Sequence, residues 1–399
     1  MTLLASSPAT QFGFATPAEY DEIREAVRQI AGKRGLREYA ERGRRNEPQT
    51  ELWNELGDAG FIGINVPEEF DGGGAGMSEL AVVIEASASV GCPLLLTLVS
   101  SAIAVEVLRR HGSVAQQQEW LTKLAGGRTK VAFAITEPDA GSNSHNLSTT
   151  AKPVDPAQPD GEWTISGQKY YISGVEESEA ILLVARTGTD ERGRGQLSMF
   201  LVPTGAAGLT ANPLPVAAQI TDRQYTLFLD DVRVPATAVV GEIGSGLQAL
   251  FDGLNPERIA TAALCVGVGR CALDAAAEYA RTREVWGKPI GTHQGVAHPL
   301  AQAKIDIELA ALMLAKAAWL HDNGMPAGEA SNMAKAAAAD AAVAAVDAAM
   351  QTHGGNGMSQ EYGLMSLYGM ARLLRIAPVS KEMILNYVSH TSLGLPRSY

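Results

Sequence analysis

Chemistry concentrates in the stretch from Val131 to Asn143, VAFAITEPDAGSN. A short β-branched and aromatic run ends in Thr136, and a Pro-Asp-Ala-Gly-Ser turn follows. This describes a strand that delivers its last hydroxyl, and then a row of backbone N–H groups, to one place. Such an edge suits an anionic ligand that takes many hydrogen bonds. Further along, Leu254-Asn255-Pro256-Glu257-Arg258 reads as a helix start, with Asn255 as N-cap, Pro256 as first helical residue and Glu257 in the first turn. An acid there is common for helix-dipole reasons alone.

Those residues need elements to hold them. From Thr16 to about Arg128 the pattern is helical, with Thr16 and Pro17 as cap and first helical residue before EYDEIREAVRQIAG. Apolar three-and-four spacing continues over Glu51–Phe61 and Ser78–Val90. Between them Pro67–Gly76, PEEFDGGGAG, is a breaker-rich loop that reads as a flexible connector. From Lys130 to about Val240 the period switches to short β-rich runs separated by Gly, Pro and Asp, which predicts an all-β domain of sandwich or barrel type. From Gly244 onward the chain is helical again, and the small residues of Ala334–Met350 favour close helix packing over a linker. The expected units are therefore residues 1–128, 129–243 and 244–399 of a multidomain α+β chain. Gly267-Val268-Gly269 resembles a degenerate dinucleotide fingerprint, but it lies inside a helical pattern and not after a strand, so helix packing accounts for it better.

A chain of 399 residues with 46% hydrophobic content can bury a large core. Its 32 basic and 44 acidic side chains leave a formal charge of −12, which argues against a sequence-independent grip on nucleic acid or an anionic membrane. Any phosphate must be held by a local arrangement. Three cysteines leave one unpaired in any disulfide scheme and form no metal-spaced cluster, so the expected compartment is the reduced cytosol. The N-terminus carries no visible export or import signal, and apolar stretches such as Ala81–Val99 are too interrupted to predict a membrane span.

Three more stretches join the first: GQKYYISG at Gly167–Gly174, RTREVWGKPIGTHQ ending at Gln294, and QTHGGNG at Gln351–Gly357. Taken together in this order, they make the chain resemble the acyl-CoA dehydrogenase family of flavoproteins over nearly its whole length. The resemblance implies an N-terminal helical domain, a middle β domain and a C-terminal four-helix bundle, with FAD as cofactor. The hydride taken from the β-carbon needs an electron sink that no side chain supplies. By the same resemblance Phe133, Ile135 and Thr136 line the isoalloxazine, and Ser142 meets the flavin diphosphate or the CoA. Tyr171, Ile172 and Ser173 occupy the family's Trp-Ile-Thr positions, with Tyr171 packed on the flavin. Arg283 and Trp286 match its Arg-x-x-Phe-Gly, the arginine on the diphosphate and the aromatic beside the adenine half. Gln294 and Gln351, with Gly354, Gly355 and Gly357, match positions that close the adenine and pyrophosphate pocket from a neighbouring subunit. His353 beside them reads as a structural hydrogen bond.

The family's usual base lies in a Tyr-Glu-Gly-Thr stretch near the C-terminus. Here that stretch is Ala377-Pro378-Val379-Ser380, and no glutamate occupies the site. In the isovaleryl and long-chain branches the base precedes an arginine in the C-terminal domain, which points to Glu257, with Asn255 and Arg258 at CoA-contacting positions. Ser380 and Glu382 are then expected on the flavin side. Proline has no N–H, so the family's backbone donor to the thioester oxygen must come from Ala377 or Val379, or the oxyanion site is weaker. The leading expectation is FAD-dependent α,β-dehydrogenation of an acyl-CoA by a homo-oligomer, dimer or tetramer, passing electrons to an electron-transfer flavoprotein. The alternatives are a carrier-protein acyl thioester, a flavin-dependent reductase or eliminase, and a non-catalytic partner subunit of a hetero-oligomeric dehydrogenase.

Overall fold

The computed structural model describes residues 17–397 other than 159, 160, 190 and 192. The N-terminal part consists of α1 (Ala18–Ala31), α2 (Gly35–Arg45), α3 (Thr50–Asp58), α4 (Met77–Ser89), a π-helical segment Thr97–Ala104, α5 (Val105–His111) and two single turns, α6 (Val114–Gln116) and α7 (Thr122–Ala125). Apolar residues at helical spacing, Val27 and Ala31 of α1 with Leu52, Trp53 and Leu56 of α3, meet Val83 and Ala86 of α4 in one core. Pro17 precedes α1 as its cap and is not its first residue; Thr16 lies outside the described residues. The glycine run is not a slack connector. A side chain at Gly73 would sit 2.7 Å from the Ile64 carbonyl oxygen, and the backbone N–H groups of Gly73, Gly74 and Ala75 bond to the carbonyls of Gly63, Val66 and Ile64. Glycine is there because two backbones meet.

The middle part is β1 (Val131–Ala134), β2 (Thr150–Pro153), β3 (Glu162–Ser173), β4 (Ala180–Thr189), β5 (Gly195–Pro203), β6 (Leu209–Leu214), β7 (Gln224–Pro235) and β8 (Val239–Val240). They form one sheet in the order β6-β7-β3-β2-β4-β5-β8, with β1 added in parallel to β4. Alternation divides its faces. In β4, Ile181, Leu183 and Ala185 join Trp163, Phe200 and Tyr225 in a core internal to the sheet. Ala180, Leu182 and Val184 pack instead with Ile103, Val107 and Leu250 of the helices.

The C-terminal part holds α8 (Gly246–Thr282), a tight hairpin of β9 (Glu284–Val285) and β10 (Lys288–Pro289), then α9 (Gln294–Asp322), α10 (Gly328–His353), α11 (Leu364–Ile376) and α12 (Lys381–Tyr387). Ala334, Ala338, Ala339, Ala342 and Ala345 of α10 are buried in a shared core with α8 and α9, as the small-residue run predicted. Gly267 explains itself in the same way: a Cβ there would lie 2.5 Å from Ala88 Cβ of α4. The helix Ala249–Thr282 is apolar and long enough to cross a membrane by length and composition, a stretch the sequence reading passed over. Neighbouring elements bury 83% of its most apolar window.

One helix boundary differs from expectation. Asn255 is not an N-cap and Pro256 does not begin a helix; α8 starts at Gly246 and runs through both. Helix packing tolerates an internal proline at the cost of one backbone hydrogen bond. Glu257 therefore lies three turns inside α8, away from the favourable dipole end.

Candidate active site

The end of β1 and the middle of β3 are tied together by the backbone. Tyr170 N–H donates to Thr136 O at 2.9 Å, beside a register shift between Lys169 and Ile172 in the pairing of β3 with β7. At that bulge Tyr171 takes φ 57°, a left-handed conformation rare for a bulky residue, and turns its ring outward to 54% exposure. Phe133, Ile135 and Thr136 are half-buried next to it, although their neighbours Ala132 and Ala134 are fully buried. Strain and exposure thus coincide on one edge, an arrangement that fits a flat ring laid against it. Ile172 differs from expectation: its side chain is buried in the sheet's own core, and its backbone pairs with Tyr225 of β7. Ser173 Oγ donates to Gln224 Oε1 at 3.0 Å. Ser142 is exposed, beyond a turn closed by reciprocal Glu137–Ala140 backbone bonds of 3.0 and 3.2 Å.

Behind this edge lies a pair that the sequence reading missed. Lys169 Nζ donates to Glu137 Oε1 at 2.9 Å and to Ile135 O at 3.0 Å, with both side chains buried. Glu137 also accepts from Ser148 N–H at 2.6 Å, Ser148 Oγ at 2.7 Å and Thr149 N–H at 3.0 Å. Burial alone raises a carboxyl pKa, but Lys169 and these donors outweigh it and hold Glu137 at about 2.

Glu257 is the reverse case. Its residue is 7% exposed, and among the described residues its carboxylate has no hydrogen bond or ion pair. Burial pushes its pKa up to about 8 against the pull of Arg258 and Lys335. The origin of its basicity is desolvation, not a helix terminus. Arg258 Nη1 donates to Asn255 Oδ1 at 3.1 Å, and its Nε is buried with no partner, a donor that a ligand can take. Asn255 in turn lies near Gly328, which the Tyr387 hydroxyl also approaches.

A stability consequence follows from Glu257. A carboxyl whose pKa rises on folding favours the folded state while protonated; that contribution is complete below about 4.5 and lost as pH rises through about 8. Glu257→Gln never ionises, so its unfolding temperature should gain on that of the wild type between pH 5 and pH 9, by an amount equivalent to a few kcal/mol at most, on the order of the shift. An offset that is the same at both pH values would contradict a buried, ionisable Glu257.

The turn between α11 and α12 carries the two backbone groups considered for the thioester oxygen. Ala377 N–H is committed to Leu373 O at 2.8 Å and Pro378 has none, whereas Val379 N–H has no backbone acceptor among the described residues. Of Ala377 and Val379, only Val379 thus keeps an N–H without a backbone acceptor among the described residues, as does Ser380 beside it. Ser380 Oγ caps α12 by accepting from Met383 N–H at 3.3 Å, and Glu382 is exposed in the first turn. Lys335, fully buried in α10, donates to Val379 O at 2.6 Å. Nothing in the sequence reading singled it out. The available signal was a lysine on the same helical stripe as Ala338, Ala339 and Ala342.

The remaining expected residues form a separate patch. Trp286 (φ 53°) and Gly287 (φ 74°) make the two-residue turn between β9 and β10, with both in the conformation such a turn demands. This projects Trp286 to 88% exposure beside an exposed Arg283. Tyr279 joins this hairpin's root to the other half of the patch: its ring stacks on His353 at 4.2 Å and its hydroxyl accepts from Asn356 Nδ2 at 3.1 Å. His353 is structural, its Nδ1 paired with Ala349 O at 2.8 Å. Gln294, Gln351, Gly354 and Gly355 are all exposed. Among the described residues no hydrogen bond joins this patch to Phe133–Ser142 or Tyr171–Ser173.

Residues 17–128, 132–232 and 244–392 match the acyl-CoA dehydrogenase N-terminal, middle and C-terminal domains, respectively. Acyl-CoA dehydrogenase FadE12 of Mycobacterium tuberculosis H37Rv is 48% identical, over 98% of this chain and 100% of that protein. Among solved structures, butyryl-CoA dehydrogenase from Megasphaera elsdenii superposes with a TM-score of 0.89 at 26% identity, over 96% of this chain and 100% of that one. The FAD complex of PigA does so with a TM-score of 0.87 at 28% identity, over 96% and 100%. An exposed, strained ring platform, a buried unpartnered carboxylate and three successive domain matches lead to one assignment: the chain belongs to the acyl-CoA dehydrogenase family of oxidoreductases, which act on CH–CH bonds with FAD as cofactor.

Proposed function

We propose that the chain dehydrogenates an acyl-CoA thioester between its α and β carbons, with Glu257 removing the α proton. The observation that carries this reading is the buried Glu257 carboxylate without a hydrogen-bond partner, on the helix that also holds Arg258 and its unpartnered Nε. Bound FAD supplies the acceptor for the β hydrogen and its electron pair. Thr136 and the backbone of Ile172 and Ser173 offer donors to the ring, and Tyr171 offers it a face. Asn255 and Arg258 hold polar groups of the thioester's CoA portion, and Val379 N–H is the donor for its carbonyl oxygen. Glu257 keeps the proton it takes because its site is desolvated, and its ionised form is the base, so the rate should rise with pH through about 8. Anaerobic flavin bleaching across straight, branched and cyclic acyl-CoAs tests the reading. If none of them bleaches the purified yellow protein, it is wrong.

The cofactor site is completed by a second copy, and electrons leave to an electron-transfer flavoprotein. Supporting the first statement, Arg283, Trp286, Gln351 and Gly354 lie exposed in one chain, and α9 presents Ile305, Leu309 and Leu312 to the outside at helical spacing. Arg283→Ala is expected to purify with less FAD and as a smaller species, read by absorbance ratio and size-exclusion light scattering. A wild-type monomer with full FAD occupancy would rule out the shared site.

A further inference from the structure

Lys335 is fully buried, on the α10 stripe of alanines that packs against α8. Its ammonium donates to Val379 O at 2.6 Å and reaches Arg375 O at 3.4 Å. Five residues along α10, Asp340 accepts from Arg375 Nε at 2.7 Å and from Lys381 Nζ. Two side chains of α10 therefore fasten the turn Ala377–Ser380 at both of its ends. That turn holds Val379 N–H, which has no backbone acceptor among the described residues, on the same residue whose carbonyl Lys335 grips.

Carbonyl oxygens satisfy an ammonium without neutralising it. Among the described residues no carboxylate comes within ion-pair distance of Lys335 Nζ, and burial pulls its pKa down to about 8, so below that pH its charge acts at longer range through a low-dielectric interior. The ionisable groups around it are Glu257, Arg258 and Cys265 of α8, Asp340 of α10, Arg375 of α11, and Lys381 of α12, with Tyr387 of α12 beyond Arg258. Cys265 is a buried thiol kept neutral, and Asp340 is already paired twice. Glu257 is the buried carboxylate left without a partner.

We propose that Lys335 is a positioning residue that links the base to the thioester-oxygen turn: its ammonium fixes the Val379 carbonyl and favours the ionised carboxylate of Glu257. This rests on Glu257 being the base. Removing the charge leaves Glu257 harder to ionise, so the active form appears at higher pH. Removing the donor frees the Val379 carbonyl and loosens the turn that carries Val379 N–H, which weakens binding of the thioester oxygen in the reaction more than binding of the CoA.

The test is stopped-flow anaerobic flavin reduction between pH 6 and pH 9.5, using FAD-loaded wild type and any acyl-CoA that bleaches it. Lys335→Met and Lys335→Gln should move the midpoint of the rate–pH profile up by about one unit, which slows reduction at pH 7 by about tenfold. Lys335→Arg should keep the wild-type midpoint. Lys335→Gln retains a donor for Val379, so its shift reports the charge, and the further loss in Lys335→Met reports the hydrogen bond. If Lys335→Met fails to retain FAD, the Gln and Arg variants decide. A wild-type midpoint in Lys335→Gln overturns the proposal while wild-type bleaching and a dead Glu257→Gln leave the dehydrogenase reading intact. If no acyl-CoA bleaches the wild type, or Glu257→Gln stays active, both fall.

Discussion

Glu257→Gln should keep FAD and an acyl-CoA ligand and yet lose substrate bleaching of the flavin by about a hundred- to ten-thousand-fold, the usual cost of removing a general base. The amide keeps the volume and the helix, and it is easier to bury than a carboxylate, so the loss cannot be charged to misfolding. What disappears is the basic oxygen. The rival carboxylate is Glu382, exposed in the first turn of α12, where an acid is favoured by the helix dipole without any chemistry. Glu382→Gln is therefore expected to bleach at nearly the wild-type rate. Single-turnover kinetics under anaerobic conditions separate the two variants directly. If Glu257→Gln reduces its flavin normally and Glu382→Gln does not, the roles assigned to them must be exchanged.

The residues that could be read from sequence were those whose local spacing carries the signal. The VAFAIT run showed a strand ending at a polar turn, and the alanines of α10 showed close helix packing. Glu257 was singled out by the family resemblance, and the local reading around it was mistaken: Asn-Pro-Glu has the form of a helix start, and only packing along the whole of α8 shows that it is an interior turn. The difference matters physically, because a helix N-terminus lowers a carboxyl pKa whereas burial raises it.

Pairing between distant segments was the part that spacing could not show. Lys169 and Glu137 are 32 residues apart, and Lys335 reaches Val379 across 44. Each of these side chains, taken alone, looks like an ordinary surface charge. The same limit applied to Ile172, where one bulge in β3 sets which of three successive side chains faces outward. Alternation would have placed Tyr171 on one face of a regular strand, while the positive φ turns it away from that path.

Lys169→Met tests whether that distant pair holds the end of β1, the proposed flavin edge, in place. The variant strands Glu137 as a buried carboxylate with its Ser148 and Thr149 donors but no countercharge, and breaking a buried pair on one side typically costs about 3–5 kcal/mol. It also releases Ile135 O, next to Thr136, so FAD occupancy should fall along with the unfolding midpoint in urea. The pH dependence has a definite sign. Because Glu137 is held at about 2, its contribution to wild-type stability is present above about 4.5 and is lost as pH falls through about 2. In Lys169→Met that contribution is gone, so the gap between wild type and variant should narrow as the pH is lowered from 5 towards 3. Adding Glu137→Gln to Lys169→Met removes the stranded charge and should recover part of the lost stability, giving a coupling energy that two independent surface residues do not show. A Lys169→Met protein that keeps its FAD and loses less than about 1 kcal/mol would mean that the strand end is held by its backbone bonds alone.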